Sequence, residues 1–78
     1  MELSVSPEQV KAARELLGWI QGDLAFEARL SQTSVSRFER GARHCGRQVI
    51  DAMQRALEAA GIEFISGDQP AVKIRDTP

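Results

Sequence analysis

One stretch decides the fold: residues 21–41, which read QGDLAFEARLSQTSVSRFERG. Its apolar side chains recur at helical spacing in two groups, one before and one after Ser31. Ser31 is a good N-terminal cap, because its hydroxyl can accept a hydrogen bond from a backbone amide of the next turn. Gly41 tolerates the left-handed backbone that commonly ends a helix. The stretch therefore predicts two short helices, residues 21–28 and 32–40, joined by a tight turn.

Two helices joined in this way have helix-turn-helix geometry, in which the second helix projects a polar face from a small bundle. A face that enters the major groove of DNA needs short side chains near the helix N-terminus and longer ones a turn later. The residues on this face are Gln32, Thr33, Ser36 and Arg37. Glutamine can bind adenine and arginine can bind guanine through two hydrogen bonds, and a threonine methyl can pack on thymine. We expect these four side chains to read DNA bases.

One helix precedes this pair and another follows it. Ser6, Pro7 and Gln9 form a capping box with proline at the first helical position, which predicts a helix over 7–17. A long apolar stripe predicts a further helix over 47–60. The predicted fold class is therefore mainly α.

The end of the chain changes from helical to strand periodicity. Residues 62–65 and 71–75 are β-prone runs, and turn-forming residues separate them. We assign residues 1–61 to a DNA-binding helix-turn-helix domain and residues 62–78 to a β-prone tail. Because an isolated two-stranded hairpin is marginally stable in water, the tail should pack on the helices or pair with a second chain, which makes it a candidate dimerisation element.

Charge is distributed unevenly along the chain. The formal net charge of −1 argues, taken alone, against a nucleic-acid partner. Residues 29–48 carry five arginines and one acidic residue, which gives +4, whereas the rest of the chain carries five basic and ten acidic side chains, which gives −5. A solvated basic face is one interpretation of the arginine cluster. Its coincidence with the polar face of the second helix favours the other, which is contact with phosphates.

Composition excludes several classes of protein. A chain of 78 residues is long enough for one small domain. Its single cysteine, Cys45, excludes an internal disulfide, and Cys45 with His44 supplies too few ligands for a structural zinc. No apolar run is long enough to cross a bilayer, and no secretory signal is recognisable. We expect a cytoplasmic protein with no membrane partner, no metal, no cofactor and no enzymatic activity.

Four short motifs carry a resemblance to a known family: ARELLGW at 13–19, QxDLA at 21–25, LSxxxVSRFERG at 30–41 and LxxAGI at 57–62. Together they resemble the lambda-repressor-like (Cro/repressor, XRE-type) helix-turn-helix family over about residues 10–61. The resemblance implies a compact bundle of four or five helices that binds operator DNA as a homodimer.

The resemblance also implies roles for single residues when it is carried over position by position. The base-reading positions of the recognition helix, residues 32–40, are Gln32, Thr33, Ser36 and Arg37. The positions expected to contact phosphate are Gln21, Arg40, Arg43 and Arg47. Arg14 and Glu39 match a pair that is a structural ion pair in many relatives.

Three positions depart from the family pattern. Arg29 stands where the family usually has the glycine of the turn, so it must accept a left-handed backbone at some cost or use a different turn. Phe26 stands where a polar residue is usual, and it either fills the edge of the core or marks a partner surface. Ile20 stands where a capping serine would be expected.

Two functions follow from these patterns. The first is a sequence-specific regulator of transcription, acting as a repressor and as a homodimer on double-stranded DNA. The alternative is a protein-interaction module, such as an antitoxin-like autoregulator or an adaptor, which would bind a toxin-like protein partner through Phe26 and the tail.

Overall fold

A computed structural model of the chain describes residues 5–41, 46–65 and 71–75. Four helices are present in these ranges: α1 (Pro7–Leu16), α2 (Gln21–Ala28), α3 (Gln32–Glu39) and α4 (Arg47–Ala59). An antiparallel two-stranded sheet follows: β1 (Ile62–Ile65) and β2 (Ala71–Ile74). The prediction of a mainly helical fold with a β-prone tail is confirmed. None of the described helices has the length and hydropathy needed to cross a membrane.

The capping box at the start of α1 forms as predicted. Ser6 Oγ accepts a hydrogen bond from the Gln9 amide at 3.1 Å, and Gln9 Oε1 accepts one from the Ser6 amide at 2.9 Å. Both interactions satisfy amides that have no partner inside the helix. The helix ends at Leu16, one residue earlier than predicted.

The helix-turn-helix segment contains two residues that are unfavourable at their positions, Ile20 before α2 and Arg29 after it. Ile20 gives α2 no side-chain cap, but the Asp23 carboxylate accepts a hydrogen bond from the Ile20 amide at 2.9 Å. Arg29 ends α2 with φ 59° and ψ 44°, so the turn keeps the left-handed geometry that glycine would favour. For a residue with a side chain this conformation costs about 1–2 kcal/mol. Ser31 caps α3 as predicted, because its Oγ accepts a hydrogen bond from the Ser34 amide at 3.2 Å.

The core lies where the helices and the hairpin meet. Its largest fully buried side chains are Leu24, Met53, Leu57, Ile62, Val10 and Val35. Burial of each such side chain stabilises the fold by about 1.5–3 kcal/mol relative to exposure. Because α3 contributes Val35 and Phe38 to this core, its opposite face is directed towards solvent.

The two strands pair with each other within one chain. Ile62 lies opposite Ile74, and Phe64 lies opposite Val72. These four residues share one face of the hairpin. Ile62 is fully buried, whereas Phe64 and Val72 are partly buried against the core.

Two side chains anchor the hairpin to the helices. Buried Gln9 of α1 donates from Nε2 to the carbonyl oxygens of Ile65 and Ala71, at 3.3 Å each. At the other end of the hairpin, Arg75 Nη2 donates to the carbonyl oxygen of Glu58 near the end of α4, at 3.1 Å. Gln9 therefore serves both the α1 cap and the hairpin, a role that sequence spacing did not indicate.

Candidate nucleic-acid interface

The polar face of α3 is available on the surface. The side chains of Gln32, Thr33 and Arg37 are exposed, and Ser36 is partly buried. On the opposite face, Val35 and Phe38 are only 0% and 5% exposed. The helix therefore presents all four predicted base-reading residues while its apolar side holds it in the bundle.

Three of these residues share a concave surface with two of the predicted phosphate contacts. A shallow depression of about 330 Å³ is lined by Gln21, Gln32, Thr33, Ser36 and Arg40. The two amide side chains can both donate and accept hydrogen bonds, whereas the guanidinium can only donate. Such a surface suits contact with base edges on one side and with phosphate oxygens on the other. Arg37 is also exposed on α3 but does not line this depression.

Gly22 of α2 leaves room for the Gln32 side chain. Gln32 Oε1 lies 3.6 Å from the position that a Cβ atom on Gly22 would occupy. This is ordinary van der Waals contact, so an alanine would fit here and a longer side chain would compete with Gln32 for space.

Arg14 and Glu39 lie together, and they connect three helices. Arg14 Nε donates to Glu39 Oε2 at 2.8 Å and Arg14 Nη2 donates to Glu39 Oε1 at 2.9 Å, which is a bidentate pair. Arg14 Nη1 also donates to the Trp19 carbonyl oxygen at 2.9 Å, between α1 and α2. Gln21 Nε2 donates to Glu39 Oε1 at 3.1 Å, from the first turn of α2. We name these four residues the Glu39 network.

The ion pair of the Glu39 network is largely buried. The side chains of Arg14 and Glu39 are only 11% and 4% exposed. Burial alone would raise the pKa of Glu39, but hydrogen bonds from Arg14 and Gln21 and the positive charge of Arg14 outweigh it, so this pKa is lowered. The hydrogen bond to Glu39 raises the pKa of Arg14. Both groups are therefore held in their charged forms, and the carboxylate joins α3 to α1 and α2.

The remaining predicted contacts differ in position. Gln21 lines the depression and also donates to Glu39, a second role that the sequence did not reveal. Arg47 has an exposed side chain at the first residue of α4. Arg43 lies outside the residues that the structure describes, as do His44 and Cys45.

The exposure of Phe26 distinguishes between the two interpretations of this residue, which were the edge of the core and a partner surface. Its side chain is 79% exposed, so it does not fill the edge of the core. Ile20, at the start of the same helix, is 68% exposed. These values favour the interpretation of Phe26 as part of a surface for another molecule.

Residues 8–64 match a family described as a helix-turn-helix domain. This segment covers more than half of the chain, including α2, the turn and α3. The comparison with curated proteins found no match. In the ranges that the structure describes, no group of three or more His, Cys, Asp or Glu side chains could hold a metal ion.

Proposed function

We propose that this chain, which belongs to the XRE/Cro-like helix-turn-helix domain family, is a cytoplasmic transcriptional repressor that binds specific double-stranded DNA as a homodimer. Family membership supports a DNA-binding regulator in general. The observation that supports sequence-specific contact with DNA is the depression where Gln32, Thr33 and Ser36 of α3 meet Gln21 and Arg40. It brings together residues that the sequence assigns separately to bases and to phosphates.

In this proposal, phosphate contacts position the protein and base contacts specify the sequence. Gln32, Thr33, Ser36 and Arg37 read base edges from the major groove. The phosphate contacts come from Gln21, Arg40, Arg43 and Arg47. In a dimer the two α3 helices would lie about 34 Å apart, which is one turn of the duplex. Occupation of the operator would then exclude polymerase, with no catalytic step and no cofactor.

The Glu39 network supports this mechanism because a reading helix must be held in a fixed orientation. A misplaced helix would present its side chains out of register with the base pairs. Since the buried carboxylate of Glu39 is bound by Arg14 and Gln21, the end of α3 is tied to two other helices. We assign Arg14 and Glu39 a positioning role rather than a contact with DNA.

Selection of duplexes from a random library tests the proposal. We expect an enriched pseudo-palindrome whose half-sites lie about 10 base pairs apart, because each half-site would accept one α3 helix. Absence of any enriched sequence, together with binding that does not change with salt concentration, would contradict it.

The separate roles of base and phosphate contacts give a sharper prediction. Arg37→Ala should cost about 1–3 kcal/mol on the selected duplex and relax preference at one base position. Arg40→Ala should weaken binding to selected and scrambled duplexes alike and lower the salt slope by about one unit. Both affinities are measured by titration at several salt concentrations. Equal losses on both duplexes for both variants would show that these roles are assigned wrongly.

A second candidate function is the protein-interaction module, and the exposure of Phe26 favours it. An antitoxin-like autoregulator or adaptor could use this side chain to bind a toxin-like protein. Affinity for random DNA, measured against salt, separates the two candidates. A flat log–log dependence would mean that no phosphates are neutralised and would favour the interaction module.

A further inference from the structure

Arg29 holds a backbone conformation that is unfavourable for a residue with a side chain. With φ 59°, it is the one non-glycine residue of positive φ in the ranges that the structure describes. Backbone hydrogen bonds define this turn. The Arg29 amide donates to the Phe26 carbonyl oxygen at 3.2 Å, and the next amide, that of Leu30, donates to the Ala25 carbonyl oxygen at 2.8 Å. Glycine would form the same turn without the steric cost, so the presence of arginine points to a function for its side chain.

The side chain of Arg29 has no partner among the described residues. It is exposed, and none of these residues forms a hydrogen bond or an ion pair with its guanidinium. Two other arginines do have such partners: Arg14 donates to Glu39, and Arg75 donates to the Glu58 carbonyl oxygen. The Arg29 guanidinium therefore joins no elements of the described fold, and its N–H donors are available to another molecule.

Arg29 lies at the end of α3 that enters the major groove in the proposed complex. The N-terminal residues of a recognition helix contact base edges. Arg29 precedes Gln32, the first predicted base-reading residue, by three positions. Three residues span at most about 10 Å of chain, whereas the major groove is about 12 Å wide. An exposed arginine at this position can therefore reach phosphate oxygens beside the bases that Gln32 would contact.

Cations would then lie at both ends of α3. The three arginines already assigned to phosphates, Arg40, Arg43 and Arg47, all follow this helix in the chain. The helix has eight residues and is therefore about 12 Å long, which is close to the width of the groove. A guanidinium before the helix and another after it can each bind the backbone on one side of the groove. Such contacts fix the position and orientation of a reading helix.

We propose that Arg29 binds a DNA phosphate at the N-terminal end of α3, and that this contact offsets the cost of its left-handed backbone. This inference rests on the proposed function and adds to it a phosphate contact that the sequence pattern did not assign. The turn is then less stable in the free protein than glycine would make it, whereas the complex with DNA is tighter. Stability depends on the backbone conformation of this residue, and DNA affinity depends on its side-chain charge.

Three substitutions of Arg29 in the full chain separate these two properties. Titrations with the selected duplex and a scrambled duplex at several salt concentrations measure affinity, and thermal unfolding measures stability. Arg29→Gly should raise the unfolding midpoint and yet lower the salt slope by about one unit per bound chain, with an affinity loss of about fivefold to tenfold on both duplexes at about 0.1 M salt. Arg29→Ala should show the same affinity loss without the gain in stability. Arg29→Lys keeps the charge, so it should retain the salt slope.

Arg55→Ala is the matched control. Arg55 is exposed on α4 and lines, with Asp51, a depression that shares no residue with the one on α3. This variant removes the same charge from another part of the chain, so it should leave the salt slope unchanged. An equal fall in Arg55→Ala and Arg29→Ala would mean that net charge sets the affinity, and would overturn the proposal.

Two further results would overturn the proposal and leave the proposed function intact. An Arg29→Ala variant that binds both duplexes like the wild type would make Arg29 a solvated cation. A loss confined to the selected duplex, with an unchanged salt slope, would make Arg29 a base contact. Both results require a wild-type chain whose affinity for DNA depends on salt. A wild type with no such binding contradicts the proposed function and the phosphate contact together, so the two failures are distinguished on the same samples.

Discussion

The Glu39 network and the Gln9 side chain both join parts of the chain that are distant in sequence, but by different interactions. The Glu39 network uses a buried ion pair, whereas Gln9 joins α1 to the hairpin through neutral hydrogen bonds. A buried charge loses much more when its partner is removed than a neutral amide does. The position of α3 therefore depends on an interaction whose loss costs much stability, whereas the position of the hairpin depends on hydrogen bonds whose loss costs less.

Loss of the ion pair should have the largest effect on stability. Glu39→Gln leaves the Arg14 guanidinium buried without its anionic partner, and we expect it to lower the free energy of unfolding by about 3 kcal/mol or more. Urea denaturation measures the change. Glu27→Gln, at an exposed position of α2, is the control and should change stability by no more than about 0.5 kcal/mol. Similar losses in the two variants would mean that burial of the pair contributes little.

Acid should weaken the same network without mutation. Because the pKa of Glu39 is lower in the folded chain than in the unfolded chain, its contribution to stability is present above its unfolded pKa. That contribution is lost as the pH falls through the folded pKa. Urea denaturation at decreasing pH should show this loss in the wild type and a smaller one in Glu39→Gln. Identical pH dependence in both proteins would assign acid sensitivity to other carboxylates.

Removal of the hairpin anchor should have an intermediate effect. Gln9→Leu leaves the Ile65 and Ala71 carbonyl oxygens without this donor and removes the Gln9 half of the capping box. We expect a loss of about 2 kcal/mol. In this variant, hydrogen exchange should be accelerated relative to wild type, and the acceleration should be larger at the hairpin amides than at the α3 amides. Equal acceleration in both regions would contradict the view that the two devices act separately.

The turn at Arg29 should give the smallest change, with the opposite sign. Arg29→Gly relieves the left-handed backbone at φ 59° and should stabilise the fold by about 1 kcal/mol. Arg29→Ala keeps the backbone cost while removing the side chain, so thermal unfolding should show no comparable gain. A stabilised alanine variant would indicate that the arginine side chain, and not the backbone, is unfavourable.

Local signals predicted most of the fold. Ser6 and Ser31 were identified as caps because the amides they bind lie three residues away. The helix over 32–40 was placed to within one residue, and both strands were identified from their composition and period. The turn was harder to predict, since two backbone geometries were open to Arg29. The structure has the left-handed one, with φ 59° at Arg29.

Residue types and their spacing along the chain were enough to indicate the helix pair, its polar face and the excess of arginine around it. Propensity, capping and periodicity act over a few residues and can be read in order. The tertiary structure was needed to show that Gln9 reaches both strands, that Gln21 shares Glu39 with Arg14, and that Phe26 is exposed. Those outcomes depend on which helices and strands pack together, because hydrogen bonds and burial between distant residues exist only after the chain has folded.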